Sequence, residues 1–348
     1  MSEKKPIRQG EELSEANLAN FLHKIFPEKT GELQIEQFAG GSSNLTYLVK
    51  IGAEEYVLRR PPFGNTVKSA HDMSREFNVL EKLSKVYSPA PKPLIYSNDE
   101  TIIGSEFYLM ERRKGLILRR EMPEVSDLEA RKICEIFIGN LVSLHSLDIE
   151  KAGLRDFGKP EGYARRQVEG WTKRYFNAKT DEWKELETAI EWLNSRIPEN
   201  KDSALIHNDY KFDNVILNPN DLTEIIGVLD WEMATIGCPL MDFGTTLGYW
   251  ADASAPKMLF YAGFNPPRLM QTMSRQDLAE SYAEKSGRDL SNILYYYVFG
   301  LFKIAVIAQQ IYARFAKGFT KDERFASFNL HVKILGEIAA QAIETNKI

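Results

Sequence analysis

Five residues in the run HNDYKFDNVILNP and the VLDWE that follows it have side chains suited to moving a phosphoryl group: His207, Asp209, Lys211, Asn214 and Asp230. Transfer of a γ-phosphoryl group leaves a protein little covalent work, so positioning and charge neutralisation dominate the rate. Mg2+ takes hard oxygen ligands and, besides phosphate and water, only one or two carboxylates. Asn214 and Asp230 are such donors. The attacking hydroxyl needs a carboxylate to orient it and accept its proton, a task within the means of Asp209. Lys211, two residues further on, can reach the transferring phosphate.

Taken singly, these residues mean little, because an Asp after a strand is usually a turn former. Order and spacing carry the signal. The five-residue step from Asp209 to Asn214, the Lys at its second place and the later strand-terminal Asp230 match the signature set of kinase catalytic loops. The elements that must hold them are short apolar runs. Ala204–Ile206 leads into the loop, Val215–Leu217 follows it, and a turn at Asn218–Asp221 leads to a third run, Ile225–Leu229.

A nucleotide needs a second set of groups, and the N-terminal part offers one. A helix over Glu11–Phe26 precedes strands at Leu33–Phe38, Leu45–Lys50 and Glu55–Arg59, a meander whose first turn reads Gly40-Gly41-Ser42-Ser43-Asn44. Backbone amides of Gly41, Ser42, Ser43 and Asn44 can approach phosphate closely because no bulky side chains intervene. Strand alternation puts Val57 and Arg59 on one face, where Val57 could touch adenine and Arg59 the α- and β-phosphates. Glu76, on a helix predicted over Ser69–Lys85, is the partner that would orient Arg59. A strand at Phe107–Met110 ends the first lobe, and backbone groups of Met110 and Glu111 would meet the adenine. Prolines at 89, 91 and 93 mark a loop.

Beyond Glu111 the pattern is helical: 127–147, 163–176, 183–193, 277–285, 291–316 and 326–344. The expected fold class is therefore α+β, an antiparallel-sheet lobe over 1–111 and a mainly helical lobe over 112–348. No internal repeat or low-complexity tract interrupts it.

Composition excludes other classes. The 348 residues are 43% hydrophobic and 27% charged, an ordinary globular balance, and the net charge of −5 offers no broad basic surface to nucleic acid. Two cysteines, Cys134 and Cys238, without metal-ligand spacing fit a reducing compartment. The charged N-terminus MSEKKPIRQGEELSE reads as neither signal peptide nor membrane anchor, so a cytoplasmic location is expected. Ile293–Tyr312 is long enough to cross a bilayer, but Lys303, Gln309, Gln310 and three successive tyrosines mark it as a buried core helix without membrane contact.

These motifs in series resemble the aminoglycoside phosphotransferase and choline kinase group, with its bilobal protein-kinase-like fold. The resemblance runs from the Gly40 turn through VLR at 57–59, Glu76, HNDYKFDN and VLDWE to GCPLMDFG at 237–244. YVLRRPP, LDWEMATIGCPLMDFG and the region of Trp171 look most like phosphotransferase domains fused to, or encoded beside, acyl-CoA dehydrogenases. That resemblance implies an ATP- and Mg2+-dependent kinase of small molecules. Asp209 would be its base, Asn214 and Asp230 its metal ligands, and Arg59 with Glu76 its phosphate clamp. Asp242 would order the C-terminal lobe despite its DFG spelling, and His207 would brace the loop. The family's His-Gly-Asp is His207-Asn208-Asp209 here, with an Asn able to adopt the left-handed conformation, and the usual strand Lys is Arg59.

The acceptor should lie against the helices at 163–176 and 291–316. Gln167, Trp171 and Arg174 share a face of the first, and Arg314 sits on the second. Aminoglycosides, being polycations, would want a carboxylate-rich pocket, and these helices carry no acidic cluster. A hydroxyl of a small molecule, with hydroxyacyl-CoA as the leading candidate, is therefore expected; an aminoglycoside, sugar or amino alcohol is the alternative. A catalytically weak nucleotide-binding pseudokinase is the alternative of another class, and the joint presence of Asp209, Asn214 and Asp230 argues against it.

Overall fold

A helix whose apolar residues repeat along one side, α1 (Glu15–Ile25), packs on a sheet of six antiparallel strands. Those strands are β1 (Lys4–Lys5), β2 (Leu33–Phe38), β3 (Leu45–Ile51), β4 (Glu54–Arg60), β5 (Pro93–Ser97) and β6 (Phe107–Glu111), in the order β1-β2-β3-β4-β6-β5. The computed structural model describes residues 4–38, 44–63, 72–199, 202–251, 255–260, 262, 264–320 and 322–348. It divides into two units, Met1–Lys114 with Gly227–Glu232, and Gly115–Ile226 with Met233–Ile348. The boundary expected from sequence, 111/112, places 227–232 in the second lobe, whereas by contact they group with the first unit.

In the first unit, alternation decides what each strand residue does. Tyr47, Val49, Tyr56, Leu58, Phe107 and Leu109 point into a core shared with Leu18 and Leu22 of α1. Val57 and Arg59, one residue out of phase, face the other way. There Val57 pairs with Met110 and Arg59 with Tyr108 across the β4–β6 ladder. Gly52, at φ 58°, makes the β3–β4 turn, where a Cβ would lie 2.7 Å from the Thr30 carbonyl oxygen. α2 (Met73–Leu83) lies within the expected helix, its start capped by the Asp72 side chain accepting from the Arg75 amide; positions 69–71 lie outside the described residues. A one-turn helix, α3 (Glu100–Ile103), joins β5 to β6. β5 itself falls where the prolines indicated a loop. Pro93 is its first residue and β5 is an edge strand, so the missing N–H costs no ladder bond.

The second unit is mainly helical: α4 (Asp127–His145), α5 (Tyr163–Ala178), α6 (Lys184–Ser195), α7 (Pro239–Tyr249), α8 (Lys257–Phe260), α9 (Pro267–Thr272), α10 (Arg275–Ser286), α11 (Ile293–Ala316) and α12 (Phe328–Thr345). Two small sheets interrupt the helices. β7 (Leu116–Ile117), β9 (Val215–Asn218) and β10 (Asp221–Val228) form one, and β8 (Ala204–Ile206) pairs with β11 (Thr235–Gly237) in the other. The two strands flanking the 207–214 loop therefore belong to different sheets.

α11 is the axis of this unit, with α5, α6, α7 and α12 packed on it. It is long and apolar enough to cross a membrane, but 78% of its most apolar window is buried among the other helices, which accounts for its composition. α7 and α11 touch backbone to backbone. A Cβ on Gly244 would lie 2.1 Å from the Tyr296 carbonyl oxygen, and one on Gly300 would lie 2.1 Å from that of Gly244. The glycine of the DFG spelling thus serves helix packing.

Candidate active site

In the first unit Arg59 gathers three carboxylates. Its guanidinium lies 2.9 Å from Glu76 on α2, 3.0 Å from Asp230 and 3.7 Å from Glu232. Burial alone would lower the Arg59 pKa, but Glu76, then Tyr108, Asp230 and Glu232, hold it well above its usual value. Burial pushes the Glu76 carboxyl upward against the opposing field of Arg59. Asn44 donates its amide to Glu232 at 2.7 Å. Gly41, Ser42 and Ser43 lie outside the described residues.

Asp230 stands two residues past the end of β10 in the left-handed conformation, φ 67°. The next residue, Trp231, anchors it. Trp231 is buried, donates its indole N–H to the Val228 carbonyl at 2.8 Å and meets Tyr87 edge-on at 6.0 Å. Met110 is buried. Glu111 gives its backbone N–H to the Lys92 carbonyl at 2.9 Å, and its side chain accepts from the Lys92 amide at 2.8 Å. The Glu111 backbone N–H, one of the groups expected to meet adenine, is therefore engaged within the sheet lobe.

In the second unit the 207–214 loop converges on Asp209. Tyr249, the last residue of α7, donates its hydroxyl to Oδ1 at 2.8 Å. Asn214 donates its amide to Oδ2 at 3.0 Å and to the Asp209 carbonyl at 2.9 Å, and Lys211 pairs with Oδ2. With its nitrogen so engaged, Asn214 has its amide oxygen left to accept. Lys211 also lies 5.2 Å from the Tyr249 ring centre.

The loop is hung from Asp242 on α7. One carboxylate oxygen accepts from the His207 backbone N–H and the other from that of Asn208, each at 2.7 Å, and His145 lies 3.1 Å away. Burial would raise this carboxyl, yet His145, His207 and Lys303 hold it below the ordinary range. His207 is fully buried, and its Nδ1 accepts from the Asp209 amide at 3.2 Å. These contacts are of the bracing kind that the resemblance implies for His207 and Asp242. Asn208 takes φ 68°.

Of the residues expected near the acceptor, three come together. Trp171 donates to Gln167 at 3.2 Å, and the Arg174 guanidinium lies 4.4 Å over the Trp171 ring. Arg314 is exposed in the last turn of α11, roughly 16 Å along the helix from Lys303, which approaches that same ring.

Sequence reasoning passed over Tyr249, Glu232, His145 and Lys303. Glu232 was written in VLDWE, and Lys303 is one charge in an apolar helix. Tyr249 had no local signal, because only the end of α7 brings it to Asp209.

No cluster of three His, Cys, Asp or Glu able to hold a metal occurs among the described residues. A site for Mg2+ completed by phosphate and water needs fewer. The donor set fits: among the described residues one guanidinium meets three carboxylates in the first unit, and the Asp230 side chain is 33% exposed at that cluster.

A model of the phosphotransferase enzyme family (APH) matches residues 34–270. Among curated proteins, acyl-CoA dehydrogenase family member 11 of Gallus gallus is 32% identical over 345 residues, 95% of this chain and 44% of its own length. Its Homo sapiens counterpart is 34% identical over 332 residues, 94% of this chain and 42% of its own. The chain thus spans less than half the length of these relatives. A Ralstonia eutropha structure described as a candidate aminoglycoside phosphotransferase matches with a TM-score of 0.81 and 26% identity, covering 96% of this chain and 99% of that one. Choline kinase of Cryptosporidium parvum matches at 0.64 with 12% identity, covering 94% and 97%. A thermostable variant of aminoglycoside phosphotransferase APH(4)-Ia, solved with ADP and hygromycin B, matches at 0.62 with 14% identity, covering 93% and 97%. The fold is the kinase-like α+β fold that the motifs implied.

Proposed function

The chain belongs to the phosphotransferase enzyme family, and on that premise we propose that it moves the γ-phosphoryl group of ATP to a hydroxyl of a small molecule. The observation that carries this reading is the Asp209 carboxylate, held on both oxygens by Tyr249, Asn214 and Lys211 while its side chain stays 19% exposed. A carboxylate so fixed can orient a hydroxyl and take its proton as the bond to phosphorus forms.

Arg59, locked by Glu76, binds phosphate oxygens of the nucleotide. Asp230 in the first unit and Asn214 in the second are the oxygen donors that would serve Mg2+, which would neutralise charge on the phosphates. Lys211 releases Asp209 to meet the transferring group. The Glu111 carbonyl accepts from the adenine.

For the acceptor we favour a hydroxyacyl thioester of coenzyme A over an aminoglycoside, sugar or amino alcohol. Two observations support this choice: the relatives are named as acyl-CoA dehydrogenase family members, and the Arg174 guanidinium lies over the Trp171 ring. An aminoglycoside would be repelled there.

The test is mass-spectrometric screening of an acceptor library for ATP-dependent gain of phosphate, with Asp209→Asn as control. Phosphate on hydroxyacyl-CoA substrates from wild type alone is expected. Gain only on sugars or amino alcohols reassigns the acceptor. Equal, slow ATP turnover by both proteins with every acceptor indicates a nucleotide-binding module that does not transfer phosphate.

A further inference from the structure

Lys303 lies in the middle of α11 with 1% of its surface exposed. Burying an ammonium group is costly unless something compensates, so its surroundings are informative. Its Nζ donates to the Asn208 backbone carbonyl at 2.6 Å and approaches the Asn208 side-chain oxygen at 3.3 Å. The Trp171 ring centre is 5.9 Å away.

Asn208 is the residue before Asp209 and has φ 68°. A non-glycine residue in that region carries a local energetic penalty, which its surroundings must outweigh. Contacts from four residues do so. The backbone N–H goes to Asp242, the side chain reaches Met233 and Tyr163, and the carbonyl goes to Lys303. The Asn208 carbonyl belongs to the peptide linking it to Asp209, so whatever holds that oxygen sets the direction in which Asp209 leaves the turn.

We infer that Lys303 is a positioning residue for phosphoryl transfer: from α11 it clamps the Asn208–Asp209 peptide and so aims the Asp209 carboxylate. The inference rests on the phosphotransferase reading of Asp209.

The charged groups acting on the ammonium are Asp242 on α7, Asp209 and Lys211 in the loop, and Arg174 on α5. The buried faces of α6 and α12, which also pack on α11, are apolar. Burial outweighs the two carboxylates and brings Lys303 down to about 8. The unfolded chain therefore binds the proton more tightly between pH 8 and 10.5, and the buried charge does not favour folding at neutral pH.

The experiment compares kcat, acceptor KM and melting temperature of the full chain with those of Lys303→Met, Lys303→Arg and Lys303→Met/Asn208→Gly, from pH 6 to 9.5. Lys303→Met should lose roughly 10-fold in kcat, the scale of an unsupported left-handed residue, with ATP KM and melting temperature at wild-type level or better. Adding Asn208→Gly should recover most of that loss, because glycine needs no clamp to hold φ > 0. Wild-type kcat should fall above about pH 8, and Lys303→Arg, which stays charged, should abolish that fall. Unchanged kcat in Lys303→Met, or loss that follows melting temperature without glycine rescue, overturns the inference. If Lys303→Met does not fold, an alkaline fall that Lys303→Arg leaves in place overturns it. Absence of any phosphate transfer by wild type instead overturns the phosphotransferase reading on which the inference rests.

Discussion

Tyr249 donates its hydroxyl hydrogen to Asp209 Oδ1 at 2.8 Å, tying the end of α7 to the 207–214 loop. Asn214 and Lys211 hold only the other oxygen. Tyr249→Phe keeps the ring beside Lys211 and removes the bond. It should lower kcat roughly 10-fold, in line with the worth of a hydrogen bond to a charged group, and leave ATP KM unchanged. Steady-state kinetics with both substrates varied checks this.

Asp242 takes two backbone N–H groups and His145 onto one buried carboxylate. Asp242→Asn should cost about 3 kcal/mol at neutral pH, the range found when a buried charged partner is removed. The sign with pH follows from the lowered carboxyl. Its stabilisation is fully present above the unfolded value of 3.8 and is lost as pH falls through the still lower folded value. Urea unfolding from pH 7 to 2 should show a steep loss for wild type below about pH 3.8, and a shallower one for Asp242→Asn.

Arg59 meets Glu76 and Asp230 through two different guanidinium nitrogens. Lysine has one nitrogen and cannot span both. Arg59→Lys should therefore raise ATP KM about 10-fold with a smaller effect on kcat. Nucleotide titration by calorimetry should give the same ratio.

Gly300→Ala tests the α7–α11 contact. A Cβ there would lie 2.1 Å from the Gly244 carbonyl oxygen, a backbone atom that cannot turn aside. The helices must separate, at a cost of about 3 kcal/mol by the measure of overpacked cores. A lower melting temperature is expected, together with reduced activity, since α7 carries both Asp242 and Tyr249.

Excess chelator should abolish phosphate transfer, and added Mg2+ should restore it. Glu232→Gln reduces the negative charge around Arg59 and should raise the Mg2+ concentration needed for half-maximal rate, roughly 3- to 10-fold. A Mg2+ titration at saturating ATP checks this.

Much of this was legible in one dimension. Helix and strand periodicities located α1, β2, β3, β4, β6, α4, α5, α6, α11 and α12, because each buries one regular face. β5 was missed because proline signals there concern local backbone, and whether a strand lies at an edge is a property of the sheet. Arg59 and Glu76, which strand alternation on β4 and the following helix suggest as a pair, lie 2.9 Å apart, and only the fold adds Asp230 and Glu232 to the same guanidinium.

The order of residues by itself determined the α+β class, the family, and the list of chemical groups in the loop from His207 to Asn214, because those depend on spacing within a few residues. Tertiary structure decided what each group is bonded to. Asp209 is held by Tyr249, 40 positions away, and the Asn208 turn by Asp242 and Lys303, which lie 34 and 95 positions away. A hydrogen bond acts over about 3 Å whatever the separation along the chain, so only the packing of α7 against α11 could bring those partners to the loop.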